Sequence, residues 1–155
     1  FMKGPTATPD KLNSKVNLES ANVALRRELD LFANVRPISI PELGIDWTFF
    51  RENTEGEYIV GSLGVEPSED LSVDFRIITT QGTERIARMA FDYAKANGKE
   101  RVECVTKANI LKKTDGRFLE TVHRVGEEYP DIYRYNDCES RERKYQKRFP
   151  GFRAS

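Results

Sequence analysis

Apolar residues recur at helical spacing in some stretches of this chain and alternate with polar ones in others. Residues 19–33 place Leu25, Leu29 and Phe32 on one stripe, as in an amphipathic helix, with Ser20 or Asn22 available to cap its start. Pro37 interrupts that pattern. Residues 38–40 and 46–50 then read as extended, as do 57–63 and 72–79, which are rich in β-branched and aromatic side chains. Between the last two lie residues 64–70, whose acidic groups and Pro67 predict a loop, so the pair predicts a hairpin-like arm. The clearest helical pattern is 83–97, where Ile86, Met89, Ala90 and Tyr93 predict the buried face and Gly98 the stop. Residues 101–106 alternate as a strand, and 116–128 predict a helix with Phe118, Val122 and Val125 inward and Pro130 beyond its end. Residues 131–135 start a further strand, whereas 1–18 lack periodicity and read as a loop. The succession strand, arm, strand, helix, strand, helix, strand predicts a mixed α/β layer.

Composition narrows the class. A chain of 155 residues can bury one ordinary core. Lys plus Arg equals Asp plus Glu at 25 each, so charge gives no reason to expect a nucleic-acid or anionic-membrane partner. No apolar run is long enough for a transmembrane helix, and the first residues lack a signal-peptide core. Met2 behind Phe1 reads as a cut end. Cys104 lies in an apolar run and reads as a core residue, and with Cys138 it forms no C-x-x-C pair, so a reducing cytoplasm is expected. His123, the single histidine, supports neither a His-rich zinc site nor a triad, and on a helix it reads as a surface or boundary residue. Residues 138–155 are basic with scattered aromatics and read as a solvated tail, with a nucleic-acid patch as the sharper alternative.

The candidate chemistry begins with Arg26, Arg36 and Arg51, placed within or at the ends of predicted elements. Guanidinium forks that meet in a cleft suit a substrate with several carboxylates, because each can grip one through paired hydrogen bonds. Taken singly, each arginine is better read as a surface ion pair with a neighbour such as Glu28, Asp30 or Glu52.

Their context changes the weighing. Ser20-Ala21-Asn22-Val23-Ala24-Leu25-Arg26, then Leu29 to Pro37, then Arg51-Glu52-Asn53-Thr54-Glu55-Gly56-Glu57-Tyr58 resemble motifs of the isocitrate and isopropylmalate dehydrogenase family. So do Thr106-Lys107-Ala108-Asn109-Ile110-Leu111 and the leading Gly4-Pro5-Thr6-Ala7-Thr8-Pro9, in the same order, over about residues 3 to 137. The resemblance implies an α/β fold made mainly of that family's small inserted domain. It divides the chain into a large-domain remnant (1–33), the small domain (34–137) with a dimerisation arm at 56–76, and an atypical basic tail (138–155). It implies that Ser20, Asn22, Arg26, Arg36, Arg51 and Asn109 bind substrate. Tyr58 would protonate the enolate carbon left by decarboxylation, Lys107 would help remove the hydroxyl proton during oxidation, and Thr8 would lie near the cofactor. The cofactors implied are NAD or NADP and Mg²⁺ or Mn²⁺. No metal ligand is assigned in this chain, because the family's metal-binding aspartates are expected outside it. A homodimer is implied, with Lys107 and Asn109 acting in the partner's site.

The small polar pair Ser20 and Asn22 favours a tricarboxylate over an apolar-tailed substrate, since an isopropyl group would leave their polar atoms unpaired. Isocitrate is therefore expected, with homoisocitrate differing by one methylene and 3-isopropylmalate as further alternatives. The chain alone is expected to be inactive, as a fragment or a truncated product. A non-catalytic subunit that keeps a carboxylate pocket is the second class of reading, and a nucleic-acid adaptor built on the basic tail the third.

Overall fold

In the computed structural model of the protein, residues 21–60 and 63–136 are described; Thr8, Ser20 and the basic tail from Cys138 lie outside them. The described chain is mixed α/β and divides after Ile77 into two compact units.

The first unit opens with helix α1, Ala21–Glu28, built from good helix formers. The helix does not run to residue 33. Asp30 takes φ 45°, its N–H reaches the Arg27 carbonyl at 3.2 Å, and the Leu31 N–H reaches the Arg26 carbonyl at 2.8 Å. This pair of bonds around a left-handed residue closes a helix C-terminus. The apolar stripe read from the sequence is thereby cut: Leu29 stays 63% exposed and Phe32 belongs to the segment that leads into the next strand.

Strands β1 (Ala33–Ile40) and β2 (Ile45–Glu52) form an antiparallel hairpin in register from Ala33↔Glu52 to Ile40↔Ile45. A short 3-10 turn, Pro41–Leu43, joins them, and Gly44 at φ 62° completes the reversal. The strands are longer than the alternation suggested, and Pro37 lies inside β1 rather than breaking it. In a two-stranded ladder alternate N–H groups face away from the partner, so a residue without one can be accommodated. Strands β3 (Val65–Ser68) and β4 (Leu71–Val73) make a second, smaller antiparallel hairpin, closed below by a Gly56–Ile77 bridge. Here β3 occupies the stretch expected to be loop, while the described residues of 57–63 form turns and bends. Glu69 and Asp70 alone make the turn, so the acidic and proline signals marked a tighter reversal than they suggested.

The second unit is built on helix α2 (Thr80–Ala96), which packs against helix α3 (Thr114–Gly126). Thr79 caps α2, its hydroxyl accepting from the Gly82 N–H at 3.0 Å, and Gly98 follows its end at φ 62°. Strands β5 (Arg101–Cys104) and β6 (Tyr133–Asn136) pair in parallel, with α3 between them in the chain. The core joins Ala87, Phe91, Ala94, Cys104, Val122, Val125 and Ile132, with Phe91 stacked on Tyr129 at 5.0 Å. The buried face of α2 is rotated from the one expected: Met89 is 36% exposed and Ala90 and Tyr93 are half-buried, whereas Gly82, Thr83, Ala87, Phe91 and Ala94 go inside with Ile86. Small residues on that face let the neighbouring backbone come close, and a reading that favours large apolar groups passes over them. Cys104 is buried, as its apolar surroundings suggested, and His123 is half-buried on α3.

The described strands pair two by two, β1 with β2, β3 with β4 and β5 with β6, so the single layer suggested by their order does not form among them.

Candidate functional site

The site grows from the ladder of β1 and β2. Cross-strand partners share a face, so the register Asn34↔Arg51 puts Asn34, Arg36 and Arg51 on the same side of the hairpin. The Arg36 Nε donates to the Asn34 Oδ1 at 2.9 Å, which orients that guanidinium along the strand. Beyond β2 the chain turns back. The Arg51 Nη2 donates to the Tyr58 Oη at 2.7 Å, and the Arg51 guanidinium carbon lies 5.2 Å from the centre of the tyrosine ring. From α1, the Arg26 guanidinium carbon lies 6.0 Å from the same ring. Tyr58 therefore contacts guanidinium groups contributed by a helix and a strand, an arrangement that attracts cations to the ring face and leaves their outer N–H groups for an anion. A phenol oxygen that accepts from Arg51 keeps its own hydrogen for another acceptor, so Tyr58 is poised as a donor.

Two neighbours that the sequence reading left without a role hold this arrangement. Glu52 gathers the turn after β2: its Oε2 accepts from the Thr54 N–H at 2.8 Å and the Glu55 N–H at 2.7 Å, and its Oε1 from the Thr54 hydroxyl at 2.8 Å. Asn53, only 6% exposed, ties the same turn to the segment after α1, its N–H donating to the Phe32 carbonyl at 2.7 Å and its Nδ2 to the Leu31 carbonyl at 3.4 Å. Gly56 then adopts φ 78° and exchanges hydrogen bonds with Ile77 at 2.8 and 3.1 Å. Polar residues running directly out of a strand were the available signal for such a turn.

The remaining candidates sit in the second unit. Lys107 and Asn109 are exposed on the loop between β5 and α3. The loop is folded on itself: the Lys107 carbonyl accepts from the Ile110 and Leu111 N–H groups at 2.9 and 2.8 Å. Its anchor is Asp115, 3% exposed in the first turn of α3, whose Oδ2 accepts from the Lys107 N–H at 2.7 Å. Asn22 is exposed on α1, close in sequence to Arg26. The structure thus brings Arg26, Arg51 and Tyr58 into contact, with Arg36 on the face that Arg51 shares, while Ser20 and Thr8 lie outside the described residues.

The groups whose ionisation is displaced belong to the second unit. Glu128 is held below the usual carboxylate range by its hydrogen bonds to Arg88, and Arg88 is pushed further above its usual range by Glu128 and then Glu84. The contacts are short, Arg88 to Glu128 at 2.6 Å and to Glu84 at 2.9 Å. Tyr129 is raised by its hydrogen bond to Asp92 and by burial.

Comparison with known proteins agrees with the motifs. The family model described as isocitrate/isopropylmalate dehydrogenase matches residues 1–138. An NAD isocitrate dehydrogenase catalytic subunit (subunit 5, mitochondrial) of Arabidopsis thaliana is 44% identical over 137 residues, which cover 84% of this chain and 35% of that protein. The chloroplastic 3-isopropylmalate dehydrogenase of Solanum tuberosum is 43% identical, over 84% of this chain and 37% of its own length. Among solved structures, isocitrate dehydrogenase from Methylococcus capsulatus superposes with a TM-score of 0.69 at 35% identity, covering 87% of this chain and 43% of that one. The chain spans about a third of the length of these curated relatives, at 35% and 37%. On the family match over most of its length, the chain belongs to the isocitrate/isopropylmalate dehydrogenase family.

Proposed function

We propose that the chain carries the substrate-clamping part of an isocitrate dehydrogenase, which oxidises and decarboxylates isocitrate to 2-oxoglutarate with NAD or NADP and a divalent metal. The observation that carries this reading is Tyr58 in contact with both Arg51, at 2.7 Å, and the Arg26 guanidinium, 6.0 Å from its ring. Substrate carboxylates would take the free guanidinium edges of Arg26, Arg36 and Arg51, with Ser20 and Asn22 meeting the carboxylate that isopropylmalate lacks. Tyr58 would deliver its hydroxyl proton to the carbon left after carbon dioxide departs. Lys107 would accept the hydroxyl proton during oxidation, with Asn109 beside the substrate. In this reading the chain is mainly the family's small inserted domain. The hairpin of β3 and β4 would pair with that of a second copy, so that Lys107 and Asn109 serve the partner's site.

Among the described residues no group of three or more His, Cys, Asp and Glu is gathered to hold a metal ion. A hard divalent cation takes several oxygen ligands in one place, so the described residues do not by themselves fit one. The roles above accordingly concern the chain's own side chains.

The test is calorimetry of the full chain with isocitrate and with 3-isopropylmalate, with and without Mg²⁺. Isocitrate should bind more tightly, and Arg51→Lys should weaken it by about 1.5–3 kcal/mol, because lysine keeps the charge but loses the fork. Equal binding of the two ligands, or none, would sink the assignment. Binding indifferent to metal and abolished by the arginine substitutions would point instead to a non-catalytic carboxylate-binding subunit.

A further inference from the structure

Residues 51 and 58 could lie roughly 23–25 Å apart in an extended chain, yet their side chains meet at 2.7 Å, so something must hold the reversal between them. Helix and strand pairing do not span the segment: Asn53 to Tyr58 are in turn, bend and bridge conformations only. What spans it is the Glu52 carboxylate, which accepts from the Thr54 N–H, the Thr54 hydroxyl and the Glu55 N–H at 2.8, 2.8 and 2.7 Å. A carboxylate is suited to this because both oxygens only accept; a glutamine of the same length turns a pair of N–H donors toward donors already there.

Glu52 follows Arg51 directly and occupies the opposite face of β2, where its cross-strand partner is Ala33. It therefore touches neither the Tyr58 ring nor the Arg51 fork through that face, and it acts on them through the backbone. Asn53 fastens the same turn to the carbonyls of Leu31 and Phe32, just past the helix that carries Arg26. Its Oδ1 is buried without a hydrogen-bond partner, so the side chain is held there by its donor side at the cost of an unsatisfied acceptor. Both residues converge on the spacing between Arg26, Arg51 and Tyr58.

We infer that Glu52 is a positioning residue: its carboxylate sets the turn that docks the Tyr58 hydroxyl on Arg51 before substrate arrives. The inference rests on the proposed role of Tyr58 and Arg51 for its functional meaning, but its geometry can be tested without it. The full chain is produced with tyrosines isotope-labelled at the hydroxyl-bearing ring carbon and read by NMR, the Tyr58 signal being identified by its disappearance in Tyr58→Phe. In the native chain that signal should move on Arg51→Lys. Glu52→Gln should move it likewise, toward the position of solvent-exposed tyrosines, and weaken isocitrate binding roughly tenfold. Glu52→Asp, which keeps the carboxylate, should restore part of both. If Glu52→Gln does not fold, Thr54→Val removes one donor while leaving the carboxylate, and a smaller displacement in the same direction is expected. A Tyr58 signal unchanged in Glu52→Gln, or in Thr54→Val where that variant must be used, overturns the inference. A signal that behaves as expected in a chain that ignores isocitrate leaves Glu52 as the positioning residue and defeats the substrate assignment instead.

Discussion

At Tyr58 the phenol oxygen takes a hydrogen bond from Arg51 at 2.7 Å, and the phenol hydrogen remains to be given elsewhere. A surface tyrosine at a strand end would serve neither purpose, and the sequence alone offers both readings. What separates them is the reversal of the chain at Glu52 to Gly56, a matter of hydrogen-bond geometry rather than of residue type. A second residue shows the same dependence on close approach. A Cβ on Gly126 would lie 2.9 Å from the Phe91 Cζ and would also collide with the Arg134 side chain. Arg134 can move aside, but Phe91 is 1% exposed and stacked on Tyr129, so it cannot. Gly126→Ala should therefore destabilise the fold by about 1–3 kcal/mol, read from urea unfolding. No loss would mean that α3 can slide away from Phe91.

Between elements, α2 and the end of α3 are tied by charge as well as by packing. Arg88 bridges Glu84 on its own helix and Glu128 just beyond α3, and Arg124 on α3 approaches Glu84 at 3.4 Å. Arg88 holds the Glu128 carboxyl below its ordinary value of 4.5, so the folded chain keeps that charge to lower pH than the unfolded chain does. The stability this contributes is present above the ordinary value and is lost as pH falls through the lower folded one. Both partners are largely exposed, which keeps the effect small. Glu128→Gln should lower the unfolding midpoint at neutral pH, and its difference from the native chain should close as the solution is acidified. A difference independent of pH would show that the pair contributes no charge interaction. The existence and kind of the helices were legible from spacing, since Val122 and Val125 are buried as their period required. Their limits and phase were not. The end of α1 depends on Asp30 entering the left-handed region, and the inward face of α2 depends on α3 packing against its small residues.

For the whole molecule, the two units distribute the candidate residues unevenly. Arg26, Arg36, Arg51 and Tyr58 belong to the first unit, and Lys107 and Asn109 to the second. On the proposed reading, the second group completes a neighbour's site, which requires a second copy. The hairpin of β3 and β4 presents Val65, Leu71 and Val73 at 47%, 50% and 37% exposure, apolar groups on strands whose outer edges are available for pairing. Sedimentation of the full chain should show a dimer that Leu71→Lys shifts toward monomer. A native chain that stays monomeric at high concentration would rule out this arm as its interface.

The sequence by itself determined the kinds of element, the family and the identity of the candidate residues, because period, propensity and motif order are local properties of a chain. It also determined that Cys104 would serve the core, since an apolar run around it leaves little else. Tertiary structure alone decided which candidates touch. The ladder register put Arg36 and Arg51 on one face, and the Glu52 turn brought Tyr58 back across seven positions to meet Arg51. It also decided that a stretch resembling a loop would pair as β3, because pairing depends on a partner strand and not on the stretch itself. Contacts of this kind are set by hydrogen-bond closure over distance, which no single segment of sequence contains.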